Sequence, residues 1–80
     1  MTLNEILDLF PEDQFLKADG FDDCVIGFEP NSMKLIYNID KMVKTLMNKD
    51  KMSKNTATEY LEFNVFSAYM GENTPIYIQI

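Results

Sequence analysis

Three short segments of this chain have strand character, and their small number limits the folds that the chain can adopt. The segments are 24–29, 33–39 and 76–80, which are rich in β-branched and aromatic residues. A sheet of three strands cannot bury a hydrophobic face by itself, so helices must cover one side of it. The sequence therefore predicts an α+β fold of two layers, with a small antiparallel or mixed sheet packed against helices.

The length of the chain allows one such domain. Eighty residues support a single modest core, and the content of 46% hydrophobic and 25% charged residues is typical of a folded soluble domain. Turn residues at 30–32 join the first two β-type segments, so we expect these to form a hairpin. In the second segment, Leu35, Tyr37 and Ile39 alternate with Lys34, Ile36 and Asn38. Because Ile36 is apolar too, burial of the centre of this strand on both faces is an open alternative. The segment 76–80 is expected to be a terminal strand of the same sheet.

Two short helices are expected before the hairpin. The first spans 3–10, begins with the capping box of Thr2 and Glu5, and ends before Pro11. The second starts at Pro11 and carries two apolar side chains inward, Phe15 and Leu16.

Two longer helices are expected between the second and third strands. The first follows Asn38 or Asp40, either of which can cap it, and has an apolar stripe: Ile39, Met42, Val43, Leu46 and Met47. The second is capped by Ser53, spans about 54–70 and ends at Gly71, with Thr56 and Glu59 as an alternative capping box one turn later. Its predicted inward side chains are Ala57, Tyr60, Leu61, Asn64, Val65 and Ala68.

Asn64 and three aromatic residues stand out in this last helix. We expect the Asn64 amide to be buried and to hydrogen-bond the backbone of a neighbouring strand or loop, because buried polar groups are paired. Phe63, Phe66 and Tyr69 widen the apolar surface beyond one helix face. With Tyr60 and Tyr77, they supply more aromatic area than a small core needs. Either the helix is covered all round, or some of these aromatic side chains are exposed and bind a partner.

The composition excludes several functions. The chain contains no His and no Arg, and its 13 acidic residues against seven basic ones give a net charge of −6. Without imidazole there is no His base or ligand, and an acidic surface without guanidinium groups disfavours direct nucleic-acid binding. The three glycines are isolated, so no phosphate-binding loop is present. We expect no cofactor, no metal site and no enzymatic activity.

The charges are unevenly distributed. Residues 1–29 hold eight acidic side chains and one Lys, a net charge of −7, whereas 30–58 carry +4 and 59–80 carry −3. Either these charges solvate different sides of the domain, or the acidic third meets a basic surface on a partner. In the second interpretation the contact residues are Asp19, Asp22 and Asp23. A metal-dependent accessory enzyme that uses Asp22, Asp23, Glu62 and Glu72 is an alternative, and so is a domain that binds only itself.

The only cysteine, Cys24, cannot form an intramolecular disulfide and is expected to be a buried small side chain. The N-terminal residues lack the pattern of a signal peptide, and no apolar run approaches the ~20 residues of a membrane span. We therefore expect a cytoplasmic protein with no membrane contact.

A resemblance to a protein family rests on three stretches of the sequence. They are 18–27 (ADGFDDCVIG), 62–64 (EFN) and 68–76 (AYMGENTPI). On these motifs the chain resembles a family of small proteins encoded by phages and bacterial prophages. The resemblance implies a phage or prophage origin and implies no activity. Small acidic phage proteins often bind a host protein, for instance to inhibit a defence or nucleic-acid enzyme, and some mimic DNA. The lysine-rich middle of this chain disfavours mimicry, so we expect a non-enzymatic protein that binds and modulates a bacterial host protein, with a homodimer as an open alternative.

Overall fold

The computed structural model describes residues 1–68 and 71–80, which form helices and a three-stranded sheet. This confirms the predicted α+β fold. The elements are α1 (Leu3–Leu9), β1 (Val25–Glu29), β2 (Lys34–Asn38), α2 (Ile39–Lys49), α3 (Lys54–Leu61) and β3 (Ile76–Ile78). A 3₁₀ turn at Asp22–Cys24 precedes β1, and a π-helical segment at Glu62–Phe66, hereafter the π segment, continues α3.

The sheet is mixed, with β2 at its centre. β1 and β2 form the predicted antiparallel hairpin, and β3 pairs with β2 in parallel. Two adjacent parallel strands need a crossover connection. The crossover consists of α2, α3, the π segment and the residues that follow it, which explains why both longer helices lie between the second and third strands in sequence.

One face of the sheet carries the core. Leu35 and Tyr37 of β2 point to this face and are fully buried, as predicted. Val25 lies opposite Tyr37 and Phe28 lies opposite Leu35, because a bulge between Val25 and Gly27 adds one residue to β1. The bulge thus brings two side chains of β1 that are three positions apart to the same face. On the other face, Ile36 of β2 lies beside Ile76 of β3.

The three α-helices supply seven further side chains of the core. Their buried side chains are Leu3 and Ile6 of α1, Met42, Val43 and Leu46 of α2, and Ala57 and Leu61 of α3. The predicted stripe of α2 is therefore confirmed at its centre, while Met47 is exposed. Cys24 is buried, as predicted, with its Sγ 3.5 Å from the Thr45 Oγ1.

The prediction of a short helix that starts at Pro11 is wrong. After a turn at 11–12, the chain runs to Ala18 without helical structure. Phe15 still reaches the core, since its ring packs edge to face with Phe10 and Phe28, at centroid distances of 6.3 and 6.5 Å. This non-helical segment connects the end of α1 to the turn at 19–20.

The carboxylate of Glu29 organises the hairpin turn. It accepts hydrogen bonds from the backbone N–H groups of Asn31, at 2.8 and 2.9 Å, and of Ser32, at 3.0 Å. The turn also holds Met33 in the left-handed region, at φ 53°. The hydrogen bond from Asn31 is the main reason that the pKa of Glu29 lies below its ordinary value of 4.5.

Acidification is therefore expected to destabilise the fold partly through Glu29. A carboxylate with a lowered pKa stabilises the folded state above its unfolded pKa, and this stability is lost as the pH falls below 4.5 through the folded value. Glu29→Gln should make the free energy of unfolding, measured by urea denaturation at a series of pH values, less dependent on pH in this range. Equal acid dependence in the variant and the wild type would contradict the assignment. Glu5→Gln is the variant matched to Glu29→Gln. It also removes a carboxylate whose pKa is lowered, in this case by hydrogen bonds from Thr2.

Candidate functional site

Residues 19–23, hereafter the acidic loop, form an exposed turn that is anchored at both ends. Before the loop, the Ala18 N–H donates to the Tyr37 hydroxyl at 2.9 Å, in the core. Within it, Phe21 is buried, and its N–H donates to the Ala18 carbonyl at 3.2 Å. Gly20 has φ 89°, a left-handed conformation that favours glycine. The loop backbone is thus held against the core while its carboxylates face solvent.

All three predicted acidic residues are exposed. Asp19, Asp22 and Asp23 each have an exposed side chain. Asp22 and Asp23 border a cleft of about 340 Å³ whose opposite wall is on α2 and includes Lys49. They also border a second cleft, of about 370 Å³, next to Thr2 at the start of α1. The 3₁₀ turn therefore presents two carboxylates between α1 and α2.

Asp19 lies at a different cleft, of about 270 Å³, between the acidic loop and the last helix. We call it the loop–helix cleft. Its lining residues are Lys17, Ala18, Asp19 and Phe21 on the loop side, Tyr60, Asn64, Val65 and Ala68 on the helix side, and Tyr77 of β3. The structure thus brings Asp19 and Asn64, two of the residues singled out in the sequence, into one cleft.

The predicted aromatic residues fall into different environments. Phe63 is 77% exposed, whereas Phe66 is half-buried and its ring lies on Tyr77, with the centroids 4.8 Å apart. Tyr69 lies outside the described residues. Tyr60, which the helical pattern assigned to the core, is 41% exposed and borders the loop–helix cleft. Phe63 and Tyr60 are therefore the aromatic side chains available to a partner in the described part of this helix.

The expectation that Asn64 is buried is wrong. Its side chain is exposed, and its Nδ2 donates to the Tyr60 carbonyl at 3.0 Å within the same helix, not to a strand or loop. The reason is the π segment, whose wider turn places one extra residue per turn. As a result, Val65 and Phe66 pack against the core, and Asn64 turns outward.

The same π segment revises the predicted length of the last helix. The regular α-helix ends at Leu61, the π segment ends at Phe66, and Ala68, predicted to point inward, is exposed. The final two positions of the predicted span 54–70 lie outside the described residues.

Tyr77 contributes an unpaired polar group beside the loop–helix cleft. Its hydroxyl oxygen is buried and has no hydrogen-bond partner among the residues that the structure describes. Burial raises the pKa of Tyr77, so the hydroxyl stays protonated at neutral pH. An unpaired buried hydroxyl is unfavourable for folding. The neighbouring Tyr37, whose ring centroid is 5.6 Å away, has its hydroxyl paired with Ala18.

The carboxylates do not form a metal centre in the described part of the chain. No group of three or more His, Cys, Asp or Glu side chains there is placed to hold a metal ion. Glu72 borders a separate cleft with Lys34 and Phe66, while Asp22 and Asp23 lie at the clefts beside α1 and α2. The four carboxylates of the metal-dependent alternative thus share no cleft among these residues.

Comparisons with known proteins gave no relative. No protein-family model matches the chain, and no curated protein or solved structure matches it. Among residues 1–68 and 71–80, no helix is long and apolar enough to cross a membrane. The case for a function therefore rests on the acidic loop, the loop–helix cleft and the exposed aromatic side chains.

Proposed function

We propose that this protein is a non-enzymatic, phage-type accessory protein that binds and modulates a bacterial host protein. The observation that carries the proposal is the loop–helix cleft, which places the exposed carboxylate of Asp19 and the half-exposed ring of Tyr60 around one concavity. Concave sites with a few convergent polar groups are typical of binding surfaces. The partner would insert a side chain into this cleft.

The exposed aromatic side chains support a protein partner. Phe63 exposes 77% of its surface on the same helical stretch as Tyr60. Large aromatic side chains are enriched among the residues that dominate binding energy at protein interfaces. A phenylalanine held in water on a short helix gains its hydrophobic stabilisation only when a partner covers it.

The charges favour a partner with a basic surface. The acidic loop contributes three exposed carboxylates, and the first 29 residues carry a net charge of −7. Complementary charge accelerates association and discriminates against other partners. We therefore expect association to slow as salt is raised, while the aromatic contacts set the lifetime of the complex.

Site-specific photocrosslinking in bacteria tests the proposal. A photoreactive phenylalanine at position 63 or 60 should capture the same host protein, identified by mass spectrometry. The matched control is position 9, since Leu9 is an apolar residue of α1 that is 59% exposed and borders none of the clefts described above. Capture of the same proteins at position 9 as at 63 and 60 would contradict the proposal.

Phe63→Ala then measures the contribution of the aromatic contact. With the captured partner purified, we expect the dissociation constant to rise about tenfold or more, the effect of removing a residue that dominates an interface. The melting temperature should stay near that of the wild type, because the side chain is mostly exposed. Unchanged affinity would place the interface elsewhere, and the Leu9→Ala variant controls for the general loss of an exposed apolar group.

A further inference from the structure

The two edge strands of the sheet differ in how well they are protected from pairing with a strand of another chain. At the β1 edge, a bulge interrupts the strand between Val25 and Gly27, and the Met1 nitrogen donates to the Ile26 carbonyl at 3.1 Å. Bulges and occupied main-chain groups are common means by which proteins prevent edge strands from pairing with other chains. At the other edge, β3 pairs only with β2 in the described part of the chain.

The β3 edge has none of the usual protective charges. The sequence from Ile76 to Ile80 is Ile-Tyr-Ile-Gln-Ile, without a charged residue or a proline. Ile78 is 37% and Ile80 is 77% exposed, so the strand is increasingly open toward its end. An uncharged, apolar edge of this kind pairs readily with another strand.

We propose that β3 pairs with β3 of a second copy of this chain, in antiparallel orientation, so that the two sheets form one continuous sheet in a homodimer. The sequence is self-complementary in this arrangement. With Ile78 on the twofold axis, Ile78 faces its counterpart, Ile76 faces Ile80 of the second copy, and Tyr77 faces Gln79. Side chains directly opposite one another lie on the same face, so the isoleucines of both copies form one apolar row.

The structure extends this row within each copy. Ile36 of β2 lies beside Ile76, and Ile78 lies beside Asn38, so the isoleucines of β3 and Ile36 share the face opposite the core. Each copy therefore contributes an apolar strip that reaches the proposed twofold axis.

The charges favour a second copy at this edge. Each copy carries a net charge of −6, which opposes association over most of its surface. The side chains of 76–80 are uncharged, and the nearby Asp40 carboxylate accepts a hydrogen bond from Gln79 Nε2 at 3.5 Å. Two copies can therefore pair along β3 without placing like-charged side chains directly opposite each other. A pairing of identical edges also closes on itself, since it uses up both free edges and forms a dimer instead of a filament.

Sedimentation equilibrium of the full chain tests the proposal. We expect a monomer–dimer equilibrium in the wild type, and we expect Ile78→Lys to raise the dimer dissociation constant by about tenfold or more, because it places two ammonium groups opposite each other. Leu9→Lys is the control, since it adds the same charge at an exposed apolar position of α1. A wild type that is monomeric at every concentration, or an unimpaired Ile78→Lys dimer, would overturn the proposal.

A second variant covers the case in which Ile78→Lys fails to fold. Ile78→Cys should form a disulfide-linked dimer under mild oxidation, because position 78 faces itself across the twofold axis, whereas Leu9→Cys should not. Equal crosslinking of both variants would also overturn the proposal. Tyr77 of β3 borders the loop–helix cleft, but Ile78 points to the opposite face of the sheet and Phe63 lies outside β3. Crosslinking from position 63 should therefore persist in a folded Ile78→Lys variant whichever result is found.

Discussion

Leu61→Ala is expected to lower the free energy of unfolding by about 2–5 kcal/mol, the range for removing most of a fully buried leucine side chain. Leu61 is 0% exposed, and only it and Ala57 are buried in α3. A domain of this size is typically stable by roughly 4–12 kcal/mol, so the variant should lose a large part of its stability. Urea denaturation followed by circular dichroism measures the loss.

The same substitution should weaken the binding surface. Tyr60 and the π segment flank Leu61 in sequence, so α3 cannot hold them against the acidic loop without this contact. Tyr60→Ala, at the neighbouring and partly exposed position, is the matched variant and should cost much less stability. If Leu61→Ala and Tyr60→Ala unfolded at the same urea concentration, α3 would not be anchored as the structure describes.

Tyr37→Phe should destabilise the protein by about 1–3 kcal/mol, because it leaves the Ala18 N–H without its acceptor in the core. For a domain of this size, each kcal/mol lowers the melting temperature by roughly 4–8 °C. The phenol also makes the fold sensitive to alkali. Burial raises the pKa of Tyr37 from 10.0 to about 12, so its contribution to stability is lost as the pH rises through these values.

Tyr77→Phe is the control for this variant, and the two changes are chemically identical. The Tyr77 hydroxyl is buried and unpaired among the described residues, so its removal should leave the melting temperature unchanged or raise it. The two rings are neighbours, with centroids 5.6 Å apart, so their surroundings are closely matched. Equal destabilisation by both variants, measured by calorimetry, would show that the hydrogen bond between Ala18 and the Tyr37 hydroxyl does not stabilise the fold.

The parts of the fold that follow local rules were predictable from the sequence. Thr2 and Ser53 cap α1 and α3 as predicted, and Asn38 is the one of the two predicted candidates that caps α2. Such caps are local, because each side chain needs only an N–H three residues further along. The alternation of Leu35 and Tyr37 predicted their burial for a similar reason, since successive side chains of a strand point to opposite faces.

The π segment was not predictable from the pattern of apolar residues. Val65 fits the inward face of either an α-helix or a π-helix, so the spacing could not distinguish them. In the π segment Phe66 packs against Tyr77, a contact between residues of different elements that no local pattern specifies. The wrong placement of Asn64 follows from this one additional residue.

The sequence predicted which residues contribute to the candidate site, but it predicted only some of their positions relative to one another. The sequence identified the acidic loop, and exposure of Asp19, Asp22 and Asp23 agrees with that prediction. The position of Tyr60 beside Asp19 depends on how the crossover returns across the sheet, and no local pattern specifies it. The available signal was a tyrosine within the predicted apolar stripe, since the polar end of a tyrosine often reaches solvent.

The π segment also lets one uninterrupted helical stretch serve two neighbours that lie in different directions. Before it, α3 packs on α2 through its first two turns. At the end of the π segment, Phe66 packs on Tyr77 of β3. One extra residue in a helical turn changes the angular phase of all later side chains by roughly 100°. One helical stretch can therefore contact α2 on one side and β3 on another without an intervening loop. This saves residues in a domain that has only 80 of them.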